Sequence, residues 1–174
     1  MPILIQSLAE VERHIAEVRG AAKTTVEWLI KQQMEPLALL RRIKFEAVGQ
    51  HPIGGHRLNF TEQINQTWTY LAALAAARQL LIQHPDAGGF RLAPGAHAAQ
   101  PLDVMSLADG LVGAESFAAV DPGNNQKLAR DLNKMGGRGE TYRYVCFISP
   151  CFPGTKRQQN LERDGVQVWS VDIN

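Results

Sequence analysis

The sequence predicts an α/β protein, in which a mixed β-sheet is flanked by helices in the order α-β-β-β-α-β-α-β, behind an N-terminal helical extension. Three observations predict it. The apolar period is helical up to about residue 83 and extended beyond it. Asp109-Gly110 is a hairpin signal between two of the extended runs. The later apolar runs YRYVCFIS and VQVWSVDI each follow a helix-like stretch, as strands of a parallel pair do. The sheet is therefore expected to be antiparallel on one side and parallel on the other, with helices on both faces.

The elements follow in order. SLAE, starting at Ser7, is a capping-box pattern, and Leu8, Val11, Ile15, Val18, Ala22, Val26 and Leu29 then recur every three or four residues. This predicts a long amphipathic helix with one narrow apolar seam. A second helix is predicted from Pro36 to about Glu46, and GQHPIGGHRLN closes the helical preface. Residues 1–50 are thus read as a helical extension and 51–174 as the α/β core. The seam suits a homodimer formed through the N-terminal helices, and packing on the chain's own core suits it equally.

NFTE, starting at Asn59, opens a third helix with Phe60, Ile64, Trp68, Leu71 and Ala75 on one face, while the run YLAALAAARQLL allows close packing. The extended runs GFRLA, LDVMSL and LVGAESFAAV come next. NNQKLARDLNKM then predicts a helix with Leu128, Leu132 and Met135 inward, stopped by Gly136-Gly137. TKRQQNLERD is read as a short polar helix between the last two strands. Trp68 and Trp169 are read as core.

A chain of 174 residues suits one domain and is long enough to bury ~70% of its unfolded surface without disulfide or metal support. Apolar content of 45% and charged content of 20% are ordinary for a globular protein. Cys146 and Cys151 form neither a disulfide framework nor a zinc site, and are read as core or near-core thiols in a reducing compartment. The first residues show neither a signal peptide nor a membrane span, so a cytoplasmic location is expected. The five histidines show no ligand spacing. GGRGE lacks the strand-loop-helix context of a phosphate cradle. Residues 51–122 carry three Lys/Arg against six Asp/Glu, and residues 123–174 carry eight against five. An acidic centre beside a basic segment suits a divalent cation together with a polyanion.

Two acids stand out by position. Asp103 begins the second extended run, and Glu115 interrupts the apolar third one. A buried carboxylate is costly unless paired or metal-bound, so two of them on adjacent strands suggest a cation between them. Register decides whether they meet. A two-residue loop at Asp109-Gly110 sets 103 opposite 116 and turns the acids to opposite faces. A three-residue loop, Ala108-Asp109-Gly110, with Gly110 left-handed sets 103 opposite 115 and puts both acids on one face.

Pro101-Leu102-Asp103, the hairpin, Glu115-Ser116-Phe117 and the helix-strand continuation resemble the core of the PD-(D/E)XK nuclease superfamily, the restriction-endonuclease-like fold. The resemblance covers roughly residues 59–172 and rests on element order as well as motif. It implies a Mg²⁺-dependent nuclease hydrolysing phosphodiester bonds in DNA, with Mn²⁺ able to substitute. It implies Asp103, Glu115 and Lys127 as catalytic residues, and Asp103, Glu115 and Glu62 as metal ligands. The family's lysine two residues after the glutamate is here Phe117, and Lys127 on the following helix is the residue that would supply it. Lys127 also suits an i,i+4 ion pair with Asp131, and Glu62 also suits a capping box with Asn59. Gln66, Arg130 and Lys134 are expected to contact nucleic acid. The alternative function is a catalytically inactive module of the same fold that binds nucleic acid or a protein partner. A third reading is an unrelated α/β domain whose acids pair with basic residues.

Overall fold

The computed structural model describes residues 2–95 and 100–173; His97 lies outside that set. The described residues form a seven-stranded mixed sheet with helices on both faces, plus a small two-stranded ribbon. In chain order the elements are β1 (Ile3–Ile5), α1 (Leu8–Ile30), α2 (Pro36–Phe45), β2 (Gly49–Gln50), β3 (Arg57–Leu58) and α3 (Phe60–Gln83), then β4 (Phe90–Leu92), β5 (Val104–Ser106), β6 (Val112–Ala118), α4 (Lys127–Gly136), β7 (Tyr142–Ile148), β8 (Lys156–Arg157) and β9 (Gln167–Ser170).

The sheet order is β1-β4-β5-β6-β7-β9-β8. Strands β1, β4, β5 and β6 pair antiparallel, β6-β7 and β7-β9 pair parallel, and β8 returns antiparallel on β9. The expected division into an antiparallel and a parallel side is present. One element of the expected order is corrected: TKRQQNLERD forms no α-helix. Lys156 and Arg157 pair with Ser170 and Trp169, and a single 3₁₀ turn, Gln159–Leu161, follows. The polar composition favours a helix locally, but the free edge of β9 offers the backbone a ladder, and that tertiary pairing wins.

The N-terminal segment is built into the core. Ile3, Leu4 and Ile5 pair with Leu92, Arg91 and Phe90, so the chain opens with an edge strand that the apolar period did not reveal. Helix α1 has the predicted capping box at Ser7 and Glu10, and it buries Val11, Ile15, Val18, Ala21 and Thr25. The seam therefore runs one position earlier than expected after Val18, and Val26 is exposed. The reason is a polar clamp: Thr25 Oγ1 donates to the buried Gln63 Oε1 (2.7 Å), Gln63 Nε2 donates to Ala21 O (3.1 Å), and the Gln50 N–H donates to Gln63 Oε1 (3.0 Å). The seam packs on α3 within the same chain. Helix α2 buries no residue fully, and Leu37, Leu40 and Phe45 are exposed.

Two apolar clusters lie on opposite faces of the sheet. On one, α1 and the alanine run of α3 (Ala72 to Ala77) pack on Ile5, Phe90, Leu92, Val104, Val112 and Ala114. On the other, Leu128, Leu132 and Met135 of α4 pack on Phe117, Val145, Phe147 and Val168. Two readings of the core are corrected. Trp68 and Ile64 are each 44% exposed, because the first half of α3 overhangs the ends of β6 and β7 instead of lying on the sheet. Cys151 is exposed, whereas Cys146 is buried and its thiol is pushed up to about 12 by burial, which leaves it unreactive. Among the described residues no helix is long and apolar enough to cross a membrane.

Candidate functional site

The hairpin between β5 and β6 positions the two acids. Gly110 is left-handed (φ 67°), the Leu111 N–H donates to Ala108 O (3.3 Å), and Ser106 Oγ accepts from the Val112 N–H (2.9 Å). Val104 pairs with Ala114 and Met105 with Gly113, so the same register continued by one residue sets Asp103 opposite Glu115. The loop is the three-residue form, Ala108-Asp109-Gly110. Alternation along β6 then fixes the faces: Val112 and Ala114 join the α3-side cluster, while Glu115 and Phe117 point to the α4 side.

Glu115 is 5% exposed, and its Oε1 accepts from Lys134 Nζ at 2.8 Å. Burial pushes its carboxyl pKa up; the Lys134 hydrogen bond opposes that shift, and the like charge of Asp103 adds to it. Asp103 is half-buried, and its Oδ2 accepts from Ser116 N–H (2.9 Å) and Ser116 Oγ (3.2 Å). Lys127 Nζ donates to both oxygens of Asp131, at 2.6 and 2.7 Å, and lies 5.6 Å from the centre of the Phe117 ring. Asp131 is 4% exposed, and burial pushes its pKa up against the pull of Lys127.

These groups share one cleft of about 710 Å³, lined by Asp103, Glu115, Asn125, Lys127, Arg130 and Lys134 among others. At its lip, Arg130 Nη2 donates to Asn125 O (2.9 Å), and Asn125 and Gln126 are both left-handed, at φ 53° and 56°. Gln126 is the residue before α4 and gives that helix no side-chain cap.

No match to this chain is found among protein families, curated proteins or solved structures. Its own geometry has to carry the functional reading.

The expected site residues divide into two groups. Asp103, Glu115, Lys127, Arg130 and Lys134 line the cleft together. The partners differ from the expectation, since the amine at Glu115 belongs to Lys134, four residues beyond Arg130, and Lys127 is held in the i,i+4 pair with Asp131. Glu62 and Gln66 are not among the residues lining the cleft. Glu62 is exposed, and its backbone N–H takes the Asn59 cap (2.8 Å). Among the described residues no group of three His, Cys, Asp or Glu is arranged to hold a metal ion. Two carboxylates nonetheless suit Mg²⁺, which commonly takes one or two and keeps several waters. The raised pKa of Glu115 beside Asp103 marks a place where a cation would relieve both burial and like charge.

Asp131 is the site residue that the sequence reading left as a mere ion-pair partner. Its signal is helical arithmetic: position 131 is three after Leu128 and four before Met135, on the face those residues bury. A carboxylate on that face must meet a counter-charge, and Lys127 is one turn away.

Proposed function

We propose that the chain is a Mg²⁺-dependent nuclease of the restriction-endonuclease-like, PD-(D/E)XK type, hydrolysing phosphodiester bonds in DNA, with Lys134 serving as the lysine of the motif. The observation that carries the reading is the convergence of Asp103 and Glu115, from the two strands of a β-hairpin, in one cleft that also presents Lys127, Arg130 and Lys134. Acids to hold a cation and bases to hold a phosphate are the two halves that such a reaction needs. The antiparallel run β4-β5-β6, followed by parallel β7 and β9 with helices on both faces, supports the same fold reading.

Asp103 and Glu115 would hold the ion, and Mn²⁺ could replace Mg²⁺. The bound ion would supply Lewis-acid stabilisation of phosphate charge and a more acidic water at neutral pH. The chain's own residues do the rest. Ser116, through its N–H and hydroxyl, fixes the Asp103 carboxylate, so the acid meets its ligand already oriented. Lys134 is ion-paired with Glu115, and with a cation held at Glu115 the Lys134 ammonium would be available to offset charge on a phosphate oxygen. Arg130 at the lip is placed to take a neighbouring phosphate through its guanidinium fork.

The test is cleavage of duplex, single-stranded and branched DNA with Mg²⁺ or Mn²⁺, comparing wild type with Glu115→Gln, alongside calorimetric titration of each metal. The reading expects metal binding and cutting by wild type, and loss of both in Glu115→Gln. Wild-type protein that neither binds metal nor cuts any of these substrates would sink it.

A second reading has one observation in its favour. Glu115 and Asp131 are each already ion-paired with a lysine, at 2.8 and 2.6 Å, so these two buried acids are compensated without a metal. That favours a non-catalytic module of the same fold that binds nucleic acid through the exposed Arg130 at the lip. Nucleic-acid binding that is indifferent to Mg²⁺, with no cleavage, is the result that selects it.

A further inference from the structure

Beside the charged cleft lies a second pocket of about 790 Å³, at the carboxyl ends of β6, β7 and β9. Its chemistry is opposite. Ile64, Trp68, Val120, Ile148 and Phe152 line it, and none of the described residues lining it is a lysine or arginine. The two pockets are neighbours, with Thr69, Ala118 and Ala119 in the walls of both. Trp68 is 44% exposed and Val120 69%, so large apolar surface is held open to solvent next to the charged cleft.

We propose that this apolar pocket is a nucleobase subsite, in which Trp68 stacks on the base of an unpaired nucleotide whose phosphate lies in the neighbouring cleft. The inference rests on the nuclease reading and narrows its substrate to DNA with an unpaired or extruded nucleotide at the cleavage site. The argument is complementarity along a single ligand. A nucleotide is an anionic group joined to a flat apolar one, and here a cleft that carries Lys127, Arg130 and Lys134 beside the cation-suited Asp103 and Glu115 adjoins a pocket walled by Trp68 and Phe152, with Asp172 the one charged residue among the described residues lining it. A base paired in a duplex has its faces covered by its stacking neighbours, so only an unpaired base can offer a face to Trp68. Asn65, exposed at the pocket wall, offers an amide with both donor and acceptor to a base edge. The position also agrees with the general placement of ligands outside the carboxyl ends of parallel strands.

The experiment measures binding without divalent metal, so that cleavage does not enter. Anisotropy of a labelled thymidylate octamer and of the same octamer with abasic positions is followed for wild type, Trp68→Leu and Trp68→Phe. Stacking of one base corresponds to about 5- to 150-fold in affinity. The expectation is that Trp68→Leu weakens thymidylate binding within that range, leaves abasic binding unchanged, and that Trp68→Phe keeps most of the wild-type affinity. Equal thymidylate affinity in Trp68→Leu and wild type overturns the subsite, even where wild type still cuts DNA. Failure of wild type to cut with Mg²⁺ overturns the nuclease reading, and the binding comparison still decides the subsite. Should Trp68→Leu not fold, emission is followed in a Trp28→Phe/Trp169→Phe background. Quenching of Trp68 by the thymidylate octamer and not by the abasic one supports the subsite, and equal response to the two overturns it.

Discussion

The two faces of the sheet are built on opposite principles. The α3 face is an apolar contact built largely on small side chains: six consecutive alanine or leucine residues, Ala72 to Ala77, at most 2% exposed, lie over Phe90, Leu92, Val104 and Ala114. The α4 face spends part of its interior on charge. Glu115 and Asp131 are buried there at 5% and 4%, each held by a lysine that reaches in from solvent. Small residues on the first face give stability through packing density. Buried carboxylates on the second give little net stability, because desolvation offsets the ion pairing. What the second face gains is a set of oriented charges beside an open cleft, and that difference is why the proposed chemistry is assigned to it.

The largest effect should come from breaking the packed face. Leu74 is fully buried against the sheet, and Leu74→Ala should cost about 2–5 kcal/mol through lost transfer energy and the cavity left behind. Urea unfolding measures it, and a cost below about 1 kcal/mol would mean that the α3 face is loosely packed. On the charged face, Lys134→Met should cost less, about 1–3 kcal/mol, because it strands the buried Glu115 carboxylate while a 46% exposed lysine gives up little packing. The double variant Lys134→Met/Glu115→Leu should regain most of that loss, since removing both partners leaves no unpaired charge inside.

The faces should also respond to pH with opposite sign. Glu115 and Asp131 have folded-state pKa values above their ordinary 4.5 and 3.8, so folding favours their protonated forms. Their contribution is fully present below those ordinary values and is lost as pH rises through the raised ones. His84, on the α3 side, hydrogen-bonds Tyr144 at 2.7 Å, and burial lowers its pKa below 6.5. Its contribution is present above 6.5 and is lost as pH falls toward the lowered value. The stability of Glu115→Gln relative to wild type should therefore rise between pH 4 and pH 7, whereas that of His84→Asn should fall across the upper part of this range. Parallel slopes for the two variants would contradict the assignment of opposite environments.

The same contrast explains what was legible in the sequence. Helical period, capping residues and the Asp109-Gly110 signal are local, and they predicted α1, α3, α4 and a hairpin, while the choice between its two-residue and three-residue loop was left to the fold. Interactions formed at long range were not legible. β1 is a three-residue edge strand whose partners are distant in sequence, Ile3 pairing with Leu92 at one end and Ile5 with Phe90 at the other, with no turn to announce it. β8 forms from helix-favouring residues because β9 has an edge to offer. In the site the residue types were legible and the pairings were not. Lys127 opens α4 and Lys134 lies about two turns further along it, and only the packing of α4 on β6 decides which amine meets Glu115.

The smallest effect concerns the backbone at the lip of the cleft. Gln126 sits in the left-handed region (φ 56°, ψ 22°), which costs an L-residue roughly 1–2 kcal/mol and a glycine nothing. Gln126→Gly removes that cost but adds backbone entropy to the unfolded chain, which takes back roughly 0.5–1 kcal/mol. The expected outcome is a gain of about 0.5 kcal/mol in thermal or urea unfolding. Asn125, left-handed at φ 53°, should gain less on replacement by glycine, because asparagine tolerates this region through local hydrogen bonds of its side chain. The order of the two gains is the sharp part of the prediction. Two adjacent left-handed residues that are not glycine hold the Asn125 carbonyl on Arg130 and the start of α4, with Lys127, against the cleft. If that strain positions the cationic lip, Gln126→Gly should make a more stable protein that holds DNA less well; unchanged binding in the stabilised variant would assign the strain to the turn alone.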